Sequence, residues 1–372
     1  MIADGTTNNS DDSFEANPSH PMAELAARYL NTPVRELSLT RVTGDASTRS
    51  YFRARSNTSS IIIALYGAPF DEAQSAADRL AKLEAVNPSA RLTFASDPCA
   101  YIEVTHLLSR AGLPVPRVLA TDGARAVILI EDVGDARLQD WLEGRSGEEV
   151  SAAYLRAVEM IVRIQEATEA ALGANSICSR LAFDEAKLRW ELGFFFANYF
   201  NRYLHIKLDP ETSNAVQADF KALCAELSSR PRVLVHRDYH ARNLMMREGE
   251  IFIIDHQDAR MGPASYDLAS LISDPYTALD VKVAAEMIER FIEMKEASSM
   301  PLSDVSEFRQ ELEMMTVQRM LKAIGTYASQ AALANNPSYI AYIEPARERA
   351  LASMDSLSRF DATRALLEKT RA

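Results

Sequence analysis

Hydrophobic and polar positions change their period repeatedly along this chain. Over residues 21–31, Leu25, Tyr29 and Leu30 fall at helical spacing behind a proline suited to a first turn, which predicts a short leading helix. Over residues 37–69 the stretch LSLTRVTGDASTRSYFRARSNTSSIIIALYGAP is alternating or β-branched between polar turns, and it predicts three antiparallel strands. Helical character returns at 71–86 and 101–111, separated by the turn formers of NPSARLTFASDP. Pro114 and Pro116 break any helix, and short strands are predicted at 118–120 and 126–130, ending at Glu131. Beyond Glu131-Asp132-Val133-Gly134 the pattern becomes amphipathic and helical, at 148–171, 183–204, 213–228, 280–297, 303–334 and 345–369. A single strand-like island interrupts it at 232–255, where RVLVH, NLMMR and EIFIID form short apolar runs with a turn at Glu248-Gly249-Glu250. The pattern describes an α+β protein: a β-rich first third, a short hinge, and a helical remainder holding one hairpin.

Composition refines this picture. The chain has 372 residues, 47% hydrophobic and 25% charged, which excludes a wholly disordered, collagen-like or coiled-coil protein. Lys and Arg number 40 against 52 Asp and Glu, a net charge of −12, so a nonspecific nucleic-acid binder is not expected. Phosphate would have to be met by a local site or a divalent cation. Cys99, Cys178 and Cys224 are far apart and in no CxxC pair, so neither a disulfide framework nor a zinc ribbon is predicted. Residues 1–20 are polar and acidic, read as a disordered tail and not as a secretory signal. The longest apolar run, near 61–65, falls far short of the roughly 20 residues that span a bilayer, and a cytoplasmic location without membrane partners is expected.

The strongest chemical signal is His236-Arg237-Asp238-Tyr239-His240-Ala241-Arg242-Asn243, followed after the hairpin by Ile254-Asp255. An Asp and an Asn five positions apart on one loop, with a second Asp returned by a hairpin, supply what phosphoryl transfer requires. One carboxylate accepts a hydroxyl proton, while an amide oxygen and another carboxylate hold Mg²⁺ against phosphates. The spacing matches the H-R-D-x-x-x-x-N loop of kinase-like folds.

On these residues the chain resembles the aminoglycoside phosphotransferase and choline kinase branch of the kinase-like fold, whose Ile-Asp-x-x-Asp element stands here as Ile254-Asp255-His256-Gln257-Asp258. Within that branch it is most similar to bacterial anomeric kinases that phosphorylate the 1-hydroxyl of N-acetylmuramic acid and N-acetylglucosamine in cell-wall recycling. The likeness also includes Gly44-Asp45-Ala46-Ser47 before Tyr51-Phe52-Arg53, Val115-Pro116-Arg117, Glu131-Asp132-Val133-Gly134-Asp135, Gly262-Pro263-Ala264-Ser265-Tyr266-Asp267-Leu268, and the stretch from Gln318 through Arg319 and Lys322 to Gly325. It implies a bilobal protein-kinase-like fold, with a nucleotide-binding lobe at 21–130, a hinge at 131–135 and a catalytic and substrate-binding lobe at 136–372.

The resemblance further implies Asp238 as catalytic base, Asn243 and Asp255 as Mg²⁺ ligands, and ATP or GTP as phosphoryl donor. The turn from Gly44 to Arg49, with Ser47 and Thr48, would cover the phosphates, and Glu131 and Val133 would border the adenine at the hinge. The lysine that kinases carry on strand three is absent: residues 61–69 contain none, and the first lysine of the chain is Lys82. The anomeric kinases share this gap. Arg53 is the candidate substitute, against the simpler reading of an exposed strand arginine, and Glu103 occupies the place of the helix Glu that would pair with the lysine. Asp267 is expected to hold the catalytic loop. For the acceptor, His240, Arg242 and Asp258 lie beside the catalytic groups. Glu191 lies in the segment Trp190-Glu191-Leu192-Gly193-Phe194, which resembles the helix facing the sugar.

Other readings remain open at this point. The acceptor is an amino sugar on the leading expectation, and an aminoglycoside or other small alcohol on the next. His236-x-Asp238-x-His240 has the look of a metal-hydrolase ligand set, and the missing lysine admits a kinase-shaped binding module without catalysis. A monomer is expected.

Overall fold

The computed structural model describes residues 21–42 and 49–370. The predicted tail and the Gly44, Ser47 and Thr48 turn lie outside them. The leading helix forms at Pro21–Tyr29. Strands β1 (Ser38–Val42), β2 (Ser50–Arg55), β3 (Ser60–Leu65), β4 (Val118–Asp122) and β5 (Val127–Glu131) make one antiparallel sheet in the order β1-β2-β3-β5-β4.

Side chains alternate across a strand, and the two faces of this sheet go to separate cores. Phe52, Ala54, Ile61, Ile63, Val127 and Leu129 pack with Met22, Ala23 and Ala26 of the leading helix. Ala64, Ile128 and Ile130 pack instead with Tyr101, Val104 and Leu108 of the helix Pro98–Arg110. With both faces covered, the central strands β3 and β5 read as near-continuous apolar runs.

Past β5 the chain is mainly helical, and the long helix Val305–Leu333 is its axis, packed against Glu185–Phe196 and Ile343–Leu357. Gly325 sets how close two of these come. A Cβ built there would sit 2.6 Å from the Phe195 Cα and 3.1 Å from the Phe195 backbone nitrogen. Gly325→Ala must therefore push the helices apart, and a loss of about 1–3 kcal/mol is expected from overpacking. Thermal unfolding checks it; an unchanged Tm would mean that the contact yields freely. Because Arg319 and Lys322 ride on the same helix, activity should fall with stability.

The structure departs from the predicted elements where the chain makes non-local or capped choices. The helix expected at 71–86 begins only at Ala76, because the Ser75 side chain caps it at the Asp78 N–H (3.1 Å). The segment 183–204 is an α-helix to Phe196 and then a π-helical stretch, Ala197–Tyr203. The segment 345–369 is broken at Ser358 and Phe360, both left-handed (φ 51° and 64°).

The β-island holds more than one hairpin. Strands β7 (Leu244–Arg247) and β8 (Glu250–Ile253) form the expected hairpin, while β6 (Arg232–Val235) pairs with an unforeseen strand β9 (Arg260–Pro263). Gly262 admits that pairing: a Cβ there would meet Phe183 at 2.9 Å and Val235 at 3.0 Å. The three cysteines are free and buried. No described helix is long and apolar enough to cross a membrane.

Candidate active site

The loop after β6 is held by buried carboxylates that accept backbone N–H groups. Asp267, at the start of the helix Tyr266–Ile272, accepts from His236 N (2.7 Å) and Arg237 N (3.0 Å), as expected of a residue that anchors the loop. Asp274 accepts from Ala241 N at 3.0 Å. The His236 Nε2 hydrogen bonds to the Ile254 carbonyl (2.9 Å), which joins the loop to the end of the hairpin. Asn243 closes the turn by donating its side-chain amide to the Asp238 carbonyl (2.9 Å), while its own carbonyl accepts from Ile254 N (3.0 Å). These bonds fix the loop that carries Asp238 and Asn243, whose one regular turn is the 3-10 helix Ala241–Asn243, against the end of the hairpin that carries Asp255.

Asp238 stands among cations. Lys322 Nζ lies 3.1 Å from one of its oxygens and Arg319 Nη2 3.5 Å, while Arg237 Nε lies 3.6 Å from the other. Burial alone would push the Asp238 carboxyl up, but Lys322, Arg237 and Arg319 hold it well below the usual carboxylate range. Arg319 is itself fixed by the Tyr266 hydroxyl (2.8 Å) and Ser270 Oγ (2.9 Å). Asp238, Lys322 and Arg319 share a small cavity of about 60 Å³ with His240, Ser270 and Tyr327. Burial lowers the His240 imidazole to about 3, so it is neutral there.

A larger cleft of about 590 Å³ lies between the sheet and the hairpin. Ile62 and Ile130 line it from the sheet side and Met245 and Ile254 from the other, with Glu131 and Val133 at the hinge; its charged and polar lining includes Arg49, Arg53, Asn243, Asp255 and Asp258. Asp255 adopts a left-handed conformation (φ 61°), where Asp is among the tolerated residues. Its Oδ1 accepts from Arg49 Nη2 (3.0 Å) and Gln257 Nε2 (3.0 Å). Burial in the cleft raises the Asp255 carboxyl, with Asp258 and Asp238 adding to the rise and Arg49 opposing it.

This donor set fits Mg²⁺. With the Asn243 NH₂ bonded to the Asp238 carbonyl, its amide oxygen and the Asp255 carboxylate belong to residues lining one cleft, and Mg²⁺ characteristically takes one or two protein oxygens plus phosphate and water. The hydrolase ligand set fits poorly, since His236 opens on neither cavity and the described residues hold no cluster of three or more His, Cys, Asp and Glu able to bind a metal ion.

Other predicted residues are distributed unevenly. His240 lines the small cavity, and Arg242 and Asp258 line the large one. Arg242 packs on Tyr276 (3.7 Å to the ring centroid) and donates to the Tyr342 hydroxyl (2.8 Å). Asp258 pairs with Arg237 (3.1 Å) and accepts from Ser96 N (2.8 Å). Glu131 is braced by Arg117 (2.9 Å) and Arg247 (3.1 Å).

Three residues have partners that the sequence did not indicate. Arg53 is not an exposed strand arginine: it lines the large cleft, and its guanidinium is bound by Asp132 (2.7 and 3.0 Å), Asp135 (2.5 Å) and the Gly134 carbonyl (3.1 Å), which ties β2 to the hinge. Glu191 lines neither cavity. It is buried, paired with Lys187 (3.3 Å) and bonded by Gln318 (2.9 Å), and Lys187 holds its carboxyl down to about 2 against the pull of burial. Glu103 is rerouted to accept from Ile177 N (2.6 Å) in the helical region. Sequence reasoning assigned no individual role to Arg49, Arg319 or Lys322. The signals were present in the alternation of Arg49, Tyr51 and Arg53 and in the i,i+3 spacing of Arg319 and Lys322.

Comparison with known proteins places this geometry in context. Residues 38–299 match the model of the phosphotransferase enzyme family. The chain is 31% identical over 241 residues to the N-acetylmuramate/N-acetylglucosamine kinase of Pseudomonas aeruginosa, covering 64% of this chain and 68% of that protein. It is 27% identical over 298 residues to the protein of the same name from Neisseria meningitidis, covering 80% and 79%. Among solved structures, the choline kinase of Streptococcus pneumoniae superposes with a TM-score of 0.58 at 12% identity, over 89% of this chain and 99% of that one, a likeness of fold.

Proposed function

The chain belongs to the phosphotransferase enzyme family, and from that footing we propose that it is a kinase transferring the γ-phosphoryl group of ATP or GTP to the anomeric hydroxyl of N-acetylmuramic acid or N-acetylglucosamine. The observation that carries the reading is the placement of Asp238: an ionised carboxylate ringed by Lys322, Arg319 and Arg237, facing the small cavity, five positions before Asn243, which opens with Asp255 on the large cleft.

In this reading Asp238 accepts the proton of the acceptor hydroxyl as its oxygen attacks phosphorus. Its depressed basicity suits a loose phosphoryl-transfer transition state, in which the proton moves late and orientation matters most. Lys322 and Arg319 position the carboxylate and set positive potential beside the path of the transferring group. Neutral His240 is left to hydrogen bond an acceptor hydroxyl. Asp255 and Asn243 would hold Mg²⁺, whose charge, when bound, offsets that of the phosphates. Ile62 and Ile130 give the base of the nucleotide an apolar slot, and the Arg53 lock keeps the hinge in register with it.

One competing acceptor can be weighed. Tyr276, Tyr327 and Tyr342 cluster beside the small cavity, the chemistry that holds a quaternary ammonium. Here Arg242 already fills that role, 3.7 Å from the Tyr276 centroid and 5.0 Å from that of Tyr342. Turnover is therefore expected with the amino sugars and not with choline. A Mg²⁺-dependent assay over N-acetylmuramic acid, N-acetylglucosamine, aminoglycosides and choline, with NMR locating the new phosphate at carbon 1, tests the reading. Phosphate on choline or an aminoglycoside alone would overturn the acceptor, and nucleotide binding without transfer to anything would return the non-catalytic module.

A further inference from the structure

Strand β3 carries no lysine, and Lys82, the first in the chain, is exposed on the helix Ala76–Val86. A nucleotide in the cleft would then lack the usual cation for its α- and β-phosphates. The arginine proposed from sequence does not supply it, because all of the Arg53 contacts go to the hinge. Nor does a lysine–glutamate pair remain to be completed, since Glu103 is spent on Ile177 N.

Arg49 stands in the right place. It precedes β2 on the same alternating face as Tyr51 and Arg53, lines the cleft, and its side chain is only 4% exposed. Its Nη2 meets Asp255 Oδ1 at 3.0 Å, the carboxylate assigned to the metal. Tyr66 lies beside the same guanidinium, and the Tyr51 ring is 5.7 Å from it. A guanidinium buried this deeply stays charged and offers a planar fork of donors matched to phosphate oxygens.

Resting on the kinase reading above, we propose that Arg49 is the nucleotide-phosphate cation of this chain, replacing the strand-three lysine from the neighbouring strand and bridging the α/β-phosphates to Asp255. This also gives a reason for the pair itself. Without nucleotide, Asp255 keeps the guanidinium aimed into the cleft, so little ordering is left to be done on binding.

The test is calorimetric binding of ADP and of adenosine to the full chain and to Arg49→Met and Arg49→Lys. Loss of charge-assisted hydrogen bonds should weaken ADP binding to Arg49→Met by about 10- to 100-fold, with adenosine affinity unchanged. Arg49→Lys should lie between, because it keeps the charge and loses the fork. A merely structural role would weaken both ligands together, and that outcome overturns the proposal, as does wild-type ADP affinity in Arg49→Met. Should Arg49→Met fail to fold, Arg49→Lys decides by the same contrast of ADP against adenosine. A wild-type chain that binds no ADP removes the kinase reading itself, whereas wild-type binding matched by the variants removes only Arg49.

Discussion

Asp238→Asn is expected to lower kcat by about 10²- to 10⁴-fold, the range removed with a positioned general base, while ADP affinity is unchanged because Asp238 does not line the nucleotide cleft. The substitution keeps the shape and one acceptor oxygen for Lys322, so the loop should remain folded through Asp267 and Asp274. It also removes the counter-charge of Lys322 and Arg319, while Arg237 keeps Asp258, and a lowered Tm accompanies the loss of rate, since cations left without a buried partner are destabilising. Steady-state kinetics, ADP calorimetry and thermal unfolding separate the effects. A variant with lower Tm but wild-type kcat would make Asp238 a structural anchor and remove it from the chemistry.

Asp255→Asn is expected to lower kcat/KM for the nucleotide by at least about 100-fold, the scale of one lost charge-stabilising contact in a transition state. Its specific mark is the loss of the Mg²⁺ effect on ADP binding. Asn is at ease in the left-handed conformation that residue 255 adopts (φ 61°), so the backbone should persist. What disappears is the carboxylate charge that Mg²⁺ and Arg49 both require. ADP titrations with and without Mg²⁺ give the answer, and a variant whose ADP affinity still rises with Mg²⁺ would place the metal elsewhere.

Much of the fold was legible because its signals are local. Alternating or β-branched apolar runs between turn formers placed β1 to β5, and helical spacing placed the major helices, with ends shifted where a side chain such as Ser75 caps the backbone. Strand β9 escaped because Arg-Met-Gly-Pro neither alternates nor favours a strand, and it pairs with β6 only across the catalytic loop. The core of the site was legible for the same reason as the strands: Asp238 and Asn243 share one loop, and a single hairpin returns Asp255. Glu191 shows the limit. Its helix matched by resemblance, yet the partner four positions away, Lys187, turns it into a buried pair behind the cavities.

By itself the sequence determined the alternation of strands and helices, the spacing of Asp238, Asn243 and Asp255, and the missing strand-three lysine. Only the tertiary structure decided which cations answer to those carboxylates. Arg49 and Asp255 lie 206 positions apart, Lys322 and Asp238 84 apart, and Arg53 finds Asp132 79 positions away. Periodicity says which face of an element a side chain occupies, but a charged pair forms only where folding brings two faces into one desolvated cleft and each charge must find its counterpart.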